Sequence, residues 1–310
     1  MVSVGLSAMM DAVMAGPPAD GIAVGVAHGD TTAFRCRGSV AGVPVVPDTV
    51  MYGASVTKQM VAFLLALSVQ AGRASPEDRI RRWLPELPGW MGEVRLHHLL
   101  HHTSGLPDLT SPSPGFPVSN RDVMDRFQRL DARPMIDSGA SFVYNNAGYV
   151  LLAEAVSRLF DRPISHLARE RLFEPLAMTA TRLGGEPRRT AGQPDPPGTI
   201  GDGGLWTSAV DLTAWLVAMN HGMLSAEAVR RVERPGHLAD GTALDYAWGV
   251  RVAQTPNGRR LTHGGTRANW LAKTVRLPDQ RVAVAILSTG GSESAISELG
   301  TNLAAQLASR

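Results

Sequence analysis

Strand-forming sequence lies at both ends of this chain, and helix-forming sequence fills the middle. Near the N-terminus, Gly21-Ile-Ala-Val-Gly-Val-Ala27 is apolar and rich in β-branched residues; His28-Gly29-Asp30 reads as a turn and Thr31 to Gly38 as a returning strand. Past residue 240 the β pattern returns in Tyr246 to Ala253, Arg259 to Thr262, Ala272 to Leu277 and Val282 to Leu287. Asn257-Gly258 and Pro278-Asp279 supply turns between them. Ser294 to Leu307 reads as a closing amphipathic helix, and Ser7 to Met14 as a short opening one. The expected fold class is α+β: one antiparallel sheet built from both termini, flanked by terminal helices, with a mostly helical lobe inserted. The division expected is a single domain over 1–310, with an α/β lobe at about 1–54 and 236–310 and a helical lobe at about 55–235.

The 310 residues are enough to bury a large core. With 44% hydrophobic and 19% charged residues, the composition is that of an ordinary globular protein. A formal charge of +2, with both signs mixed along the chain, argues against a nucleic-acid partner. No apolar run approaches the ~18 residues of a membrane span, and no basic, apolar leader opens the chain. A cytoplasmic location and no membrane partner are therefore expected. The single cysteine, Cys36, excludes an intrachain disulfide and reads as a structural thiol in a strand.

The middle of the chain carries the chemistry. After Met51-Tyr-Gly-Ala-Ser55 the sequence turns helical, with Val56, Met60, Phe63, Leu64 and Leu67 at helical spacing. Ser55-Val-Thr-Lys58 puts a hydroxyl and an amine on one helix face, three residues apart. A serine hydroxyl is a poor nucleophile until a base takes its proton, and an amine can be that base. The helix start also offers the Ser55 backbone N–H as an oxyanion donor. Alone, this four-residue pattern is weak and fits a capping serine beside a surface lysine. Tyr144-Asn-Asn146 stands just before a second helix, Ala147 to Phe160; a phenol near cations can relay a proton, and the Asn146 amide can serve a substrate carbonyl and Lys58. His263-Gly264-Gly265-Thr266 follows a strand, its glycines allow close approach to the strand edge, and the Thr266 N–H is a candidate second oxyanion donor.

These segments, in this order, resemble the serine β-lactamase and penicillin-binding-protein superfamily, and within it the class C-like branch of esterases, D-aminopeptidases and acyltransferases. The likeness extends to Leu99-Leu-His-His-Thr-Ser-Gly-Leu-Pro-Asp108, Phe142 to Tyr149, Glu174-Pro-Leu-Ala-Met178 and Gly203-Gly-Leu-Trp-Thr-Ser208, and spans roughly residues 20 to 290. The resemblance implies a β-lactamase-like fold and two-step acyl transfer. Ser55 attacks a carbonyl and forms an acyl-enzyme, Lys58 and Tyr144 shuttle protons, and the Ser55 and Thr266 amides hold the oxyanion. It implies no metal and no organic cofactor, and a small-molecule acyl substrate as the partner.

One departure bears on substrate. Classical members carry Lys-Thr-Gly on the strand edge, where His263 and Gly264 replace the Lys and the Thr. A neutral imidazole has one N–H and no charge. Losing a charge-assisted contact to a substrate carboxylate costs ~1.5–3 kcal/mol, about tenfold to a hundredfold. The expected function is thus hydrolysis of an ester or amide of a small molecule. An acyltransferase of secondary metabolism on the same mechanism is the alternative. A true β-lactamase or D,D-peptidase, and a non-catalytic binding protein, rank lower. Trp206 and Trp270 read equally as pocket walls or as core, and so does Trp248. His97-His98 and His101-His102 put histidines at i, i+4, a possible helical metal pair, but no carboxylate motif completes it and a family structural element is favoured. The loops at Leu106 to Ser119 and Gly184 to Gly204 read as walls of a site or as linkers.

Overall fold

The computed structural model of the chain describes residues 10, 19–111, 118–131, 136–184, 198–256 and 258–309. The expected opening helix lies outside the described residues apart from Met10, as do Asn257 and much of both proline-rich loops.

Ten strands occur among the described residues: β1 (Gly21–His28), β2 (Thr31–Val40), β3 (Val43–Pro44), β4 (Met51–Tyr52), β5 (Arg182–Leu183), β6 (Leu205–Thr207), β7 (Arg251–Thr255), β8 (Gly258–Arg267), β9 (Trp270–Leu277) and β10 (Val282–Thr289). Seven form one antiparallel sheet in the order β3-β2-β1-β10-β9-β8-β7. The chain ends meet at its centre, where Gly21 to His28 pair residue for residue with Thr289 to Val282. The fold is the expected α+β arrangement.

The main helices are α1 (Thr57–Gln70), α2 (Leu96–Leu100), α3 (Asn120–Gln128), α4 (Asn146–Phe160), α5 (Ile164–Ala168), α6 (Ala209–His221), α7 (Ala226–Val232) and α8 (Glu293–Ala308). The apolar β1 run lacks polar alternation because both sheet faces are covered. Ile22, Val24 and Val26 join Leu271, Val284 and Ile286 in the core beneath α8, whereas Ala23 and Ala27 join Ala283 and Ala285 in the other, larger core. On that second face the side chains are small because α6 lies close: a Cβ on Gly25 would collide with Thr213 Oγ1. Helix α1 is hydrophobic all round and buried along most of its length, as a central helix must be.

Three local features differ from the sequence expectation. β8 runs on to Arg267, so His263-Gly264-Gly265 lies within the strand rather than after it. Tyr246 to Val250 is irregular, and β7 begins at Arg251. A second sheet, in the order β4-β6-β5, appears inside the region read as helix and loop. Strands of two or three residues carry no periodicity, so the pattern could not reveal them. Cys36 is half-buried in β2, and burial pushes its thiol up to about 11, with the Asp48 charge adding to the shift. Among the described residues no helix is long and apolar enough to cross a membrane.

Candidate active site

Ser55 sits on a 3-10 turn, Ala54–Val56, that feeds directly into α1. Ala54 holds the left-handed region at φ +44°, a conformation that costs a non-glycine residue about 1–2 kcal/mol. Neighbouring bonds fix it there. The Val56 N–H donates to Gly53 O, and the Thr57 hydroxyl donates to Ala54 O at 2.6 Å while accepting the Leu205 N–H at 3.0 Å. The turn is thereby tied to β6, and among the described residues the Ser55 amide has no hydrogen-bond acceptor.

Lys58 is fully buried one turn along. Its Nζ lies 3.0 Å from Ser55 Oγ, 2.9 Å from Asn146 Oδ1 and 3.0 Å from the backbone O of Asp202. Asn146 is aimed by its other end, since its Nδ2 and its backbone N–H both donate to Asp108 Oδ2 at 3.2 Å. Asn145 caps α4: its Oδ1 accepts the Gly148 N–H, its Nδ2 donates to Leu106 O, and its own N–H donates to His102 Nδ1. The segment before α4 is thus pinned to the His-Thr-Ser-Gly stretch, which the sequence left as a structural element.

Tyr144 is placed differently from a direct partner of Ser55. Its ring lies 4.2 Å from the His102 ring, with Lys58 Nζ 4.9 Å from its centroid. Its hydroxyl has no hydrogen-bond partner among the described residues, and the side chain is 38% exposed, open to an incoming molecule.

The strand edge completes the site. β7 follows β8 only to Thr262, while β9 follows it to Arg267. The stretch from His263 to Arg267 therefore has one unpaired edge, and that edge meets the Ser55 turn. A Cβ on Gly265 would stand 2.6 Å from Gly53 O and 3.1 Å from Ser55 N, so glycine is what permits the contact. His263 is 7% exposed. Its Nδ1 lies 2.6 Å from Gly264 O, which can only accept, so the proton is on Nδ1 and Nε2 accepts the Tyr246 hydroxyl at 2.9 Å. Burial first, then the Lys58 charge, push the imidazole down to about 3. The ring is neutral, and its one N–H is spent on its own strand.

A cavity of about 400 Å³ opens between these groups, lined by Ser55, Tyr144, Asn146, Tyr246, His263 and Thr266, and also by Lys273 and Glu293. The Thr266 hydroxyl donates to Glu293 Oε2 at 2.7 Å. Of the residues read from the sequence, Ser55, Lys58, Tyr144, Asn146, His263, Gly265 and Thr266 come together here. Trp206 and Trp270 do not: they are 6% and 2% exposed and pack on each other at 5.8 Å, in the core behind β4. Trp248 donates its indole N–H to His101 Nε2, and His101 Nδ1–H donates to Tyr246 O. His98 Nδ1 accepts the Arg95 N–H. Nδ1 of each of His97, His98, His101 and His102 meets a main-chain group, and among the described residues no cluster of His, Cys, Asp or Glu is arranged to hold a metal. The sequence reading missed Tyr246 and Asp202. Tyr246 has no local signal. Asp202, a lone charge in Gly201-Asp-Gly-Gly204, has one.

The family model described as Beta-lactamase matches residues 6–308. The chain is 26% identical over 281 residues to penicillin-binding protein 4* of Bacillus subtilis (strain 168), covering 79% of this chain and 62% of that protein. It is 30% identical over 201 residues to esterase EstB of Burkholderia gladioli, covering 56% of this chain and 51% of the esterase. The chain thus spans between half and two thirds of the length of these curated relatives. A solved structure, the β-lactamase/D-alanine carboxypeptidase of Yersinia pestis complexed with citrate, superposes with a TM-score of 0.83 at 20% identity, covering 97% of this chain and 98% of that one.

Proposed function

The chain belongs to the β-lactamase family, whose members are serine hydrolases, and on that premise we propose that it cleaves an ester or amide of a small molecule through an acyl-enzyme on Ser55. The observation that carries this reading is the placement of Lys58 Nζ 3.0 Å from Ser55 Oγ, with Asn146 Oδ1 and Asp202 O as its other partners. Two pure acceptors hold two N–H groups of the amine and leave its remaining position facing the Ser55 hydroxyl. Lys58 takes that proton as the serine oxygen closes on the substrate carbonyl. The unpartnered Ser55 N–H and the Thr266 N–H receive the oxyanion. Tyr144, whose hydroxyl is unpartnered among the described residues, returns the proton to the leaving group.

The His263 geometry separates substrates. With no charge and no free N–H, it gives a substrate carboxylate no anchor. Arg251, also on the cavity wall, is held by Asp245 through two 2.7 Å contacts. Neutral short-chain esters should therefore be turned over and nitrocefin cleaved slowly, with the acyl mass trapped on the peptide containing Ser55. Rapid nitrocefin hydrolysis would overturn the substrate assignment; absence of any adduct with ester or fluorophosphonate probes would overturn the enzyme assignment.

Gly265→Ala tests the oxyanion geometry. The added Cβ meets main-chain atoms of Gly53 and Ser55, which cannot swing aside, so β8 must retreat from the turn. Displacement by as little as ~1 Å should lower kcat/KM on a neutral ester about a hundredfold. Circular dichroism and thermal unfolding check that the fold survives. Wild-type turnover in the folded variant would place the oxyanion donors elsewhere.

A further inference from the structure

One of the three acceptors around Lys58 belongs to a residue that can carry a charge of its own. Lys58 Nζ donates to the Asp202 main-chain carbonyl, while Oδ1 of the Asp202 carboxyl is shut off from solvent and takes no hydrogen bond from any described residue. An ionised carboxylate in such a place costs several kcal/mol unless something compensates it. The other buried carboxyls are compensated in the ordinary way. Asp211 accepts the Ala180 N–H and the Thr181 hydroxyl, and Glu233 pairs with Arg276 at 2.7 Å. For Asp202, burial pushes the carboxyl up, and the Lys58 charge first, then the Thr199 hydroxyl and the Gly203 N–H, oppose that shift.

The other groups facing Lys58 offer no equivalent. His102 and His263 are held neutral, by burial first and by Lys58 itself second. Tyr144 and Tyr149 present ring faces at 4.9 and 5.5 Å. The Tyr52 hydroxyl accepts the Gly204 N–H and is pushed up by burial and by Asp202. Asp108 is exposed and reaches Asn146 rather than Lys58. Among the described residues Asp202, half-buried but with Oδ1 shut off from solvent, is the carboxyl whose charge acts on Lys58.

We propose that Asp202 is a positioning residue that acts through Lys58, its carboxylate stabilising the ammonium that forms when Lys58 accepts the Ser55 proton. The inference rests on the reading of Ser55 and Lys58 as the acylation pair. In that step the Ser55 O–H bond breaks, the proton joins the Lys58 lone pair, and the serine electron pair forms the bond to the carbonyl carbon. No further reactant is needed. The ammonium appears on a side chain with no solvent exposure, so water cannot supply the counter-charge. That proton passes through Tyr144 to the leaving group, and on deacylation the attacking water gives up the proton that Ser55 Oγ regains as the acyl bond breaks, which resets the pair.

Asp202→Asn keeps the shape and the main-chain carbonyl and removes the charge. On a neutral ester, kcat should fall about tenfold with KM within about twofold. The acid-side limb of the kcat/KM profile should move to lower pH, because an ammonium without its counter-charge releases its proton more readily. A purely structural role would lower the rate and leave the limb in place. Asp202→Ser, smaller and equally neutral, gives the same reading if the Asn variant does not fold. A limb that stays put or moves up in a folded neutral variant overturns the proposal. Failure of the wild-type chain to acylate Ser55 overturns instead the reading on which it rests.

Discussion

Ser55→Ala should leave a folded protein that forms no acyl adduct and hydrolyses neutral esters about a thousandfold more slowly, or worse. The substitution removes one oxygen that accepts no hydrogen bond except from Lys58, so its structural cost is small. Lys58→Met should lose activity to a similar extent for a different reason. The nucleophile remains, but the group that takes its proton is gone, and Asn146 Oδ1 and Asp202 O are left as buried acceptors without a donor. That second variant should therefore also lose ~1–3 kcal/mol of stability, a loss the serine variant does not share. The double variant should be no slower than either single one, because the two residues act as one unit. Intact-mass analysis after exposure to an acyl probe, with urea unfolding alongside, separates the effects. Ester turnover by Ser55→Ala at the wild-type rate would move the nucleophile elsewhere.

Acid should unfold this protein steeply, through histidines rather than through surface ion pairs. His101, His102 and His263 each use their acceptor nitrogen to receive a buried donor, namely the Trp248 indole, the Asn145 amide and the Tyr246 hydroxyl. Protonation would set donor against donor in a place without water. Burial accordingly depresses all three, His101 to about 4, His263 to about 3 and His102 well below the ordinary value. In the unfolded chain the same rings titrate near 6.5. Their folded values are lowered, so their stabilising contribution is complete above 6.5 and is lost as the pH falls toward about 4. Each group gives a slope of ~1.4 kcal/mol per pH unit, and the three together about 4. Asp202 and Asp211, raised by burial, act in the opposite sense nearer the carboxylate range. A stability of 5–15 kcal/mol, typical of a domain, would be consumed within about one to four units. Urea midpoints at pH 7, 6, 5 and 4.5 measure the slope, and His101→Gln should flatten it by about a third. A midpoint unchanged from pH 7 to 4.5 would contradict the tautomers assigned to these rings.

Much of the site was legible along the chain because its parts are local. The Ser55 to Lys58 spacing follows from helix geometry alone. Asn146 follows Tyr144 by two residues and begins α4, so its place was fixed once the helix start was recognised. Gly265 and His263 share one strand. What could not be read is every relation that depends on which side chain fills the space between elements. Tyr246, whose hydroxyl fixes the His263 tautomer, stands outside any regular element. Asp202 reaches Lys58 across 144 residues of sequence. Trp206 and Trp270 had equal claims to pocket and core, since an aromatic side chain suits both. In the structure both are nearly fully buried and pack on each other at 5.8 Å.

The sequence by itself determined the strand-rich ends, the sheet drawn from both termini, and the serine and lysine that meet one turn apart. These follow from periodicity, turn residues and short-range geometry, which a linear pattern carries in full. Only the tertiary structure decided the protonation of the site. It turned the His263 N–H onto Gly264 O, left the Tyr144 hydroxyl open to the cavity, and enclosed the Asp202 carboxyl beside Lys58. The reason is physical. Which nitrogen holds a proton, and whether a carboxyl stays charged, depends on desolvation and on hydrogen-bond partners brought from distant parts of the chain, and both exist only after the chain has packed.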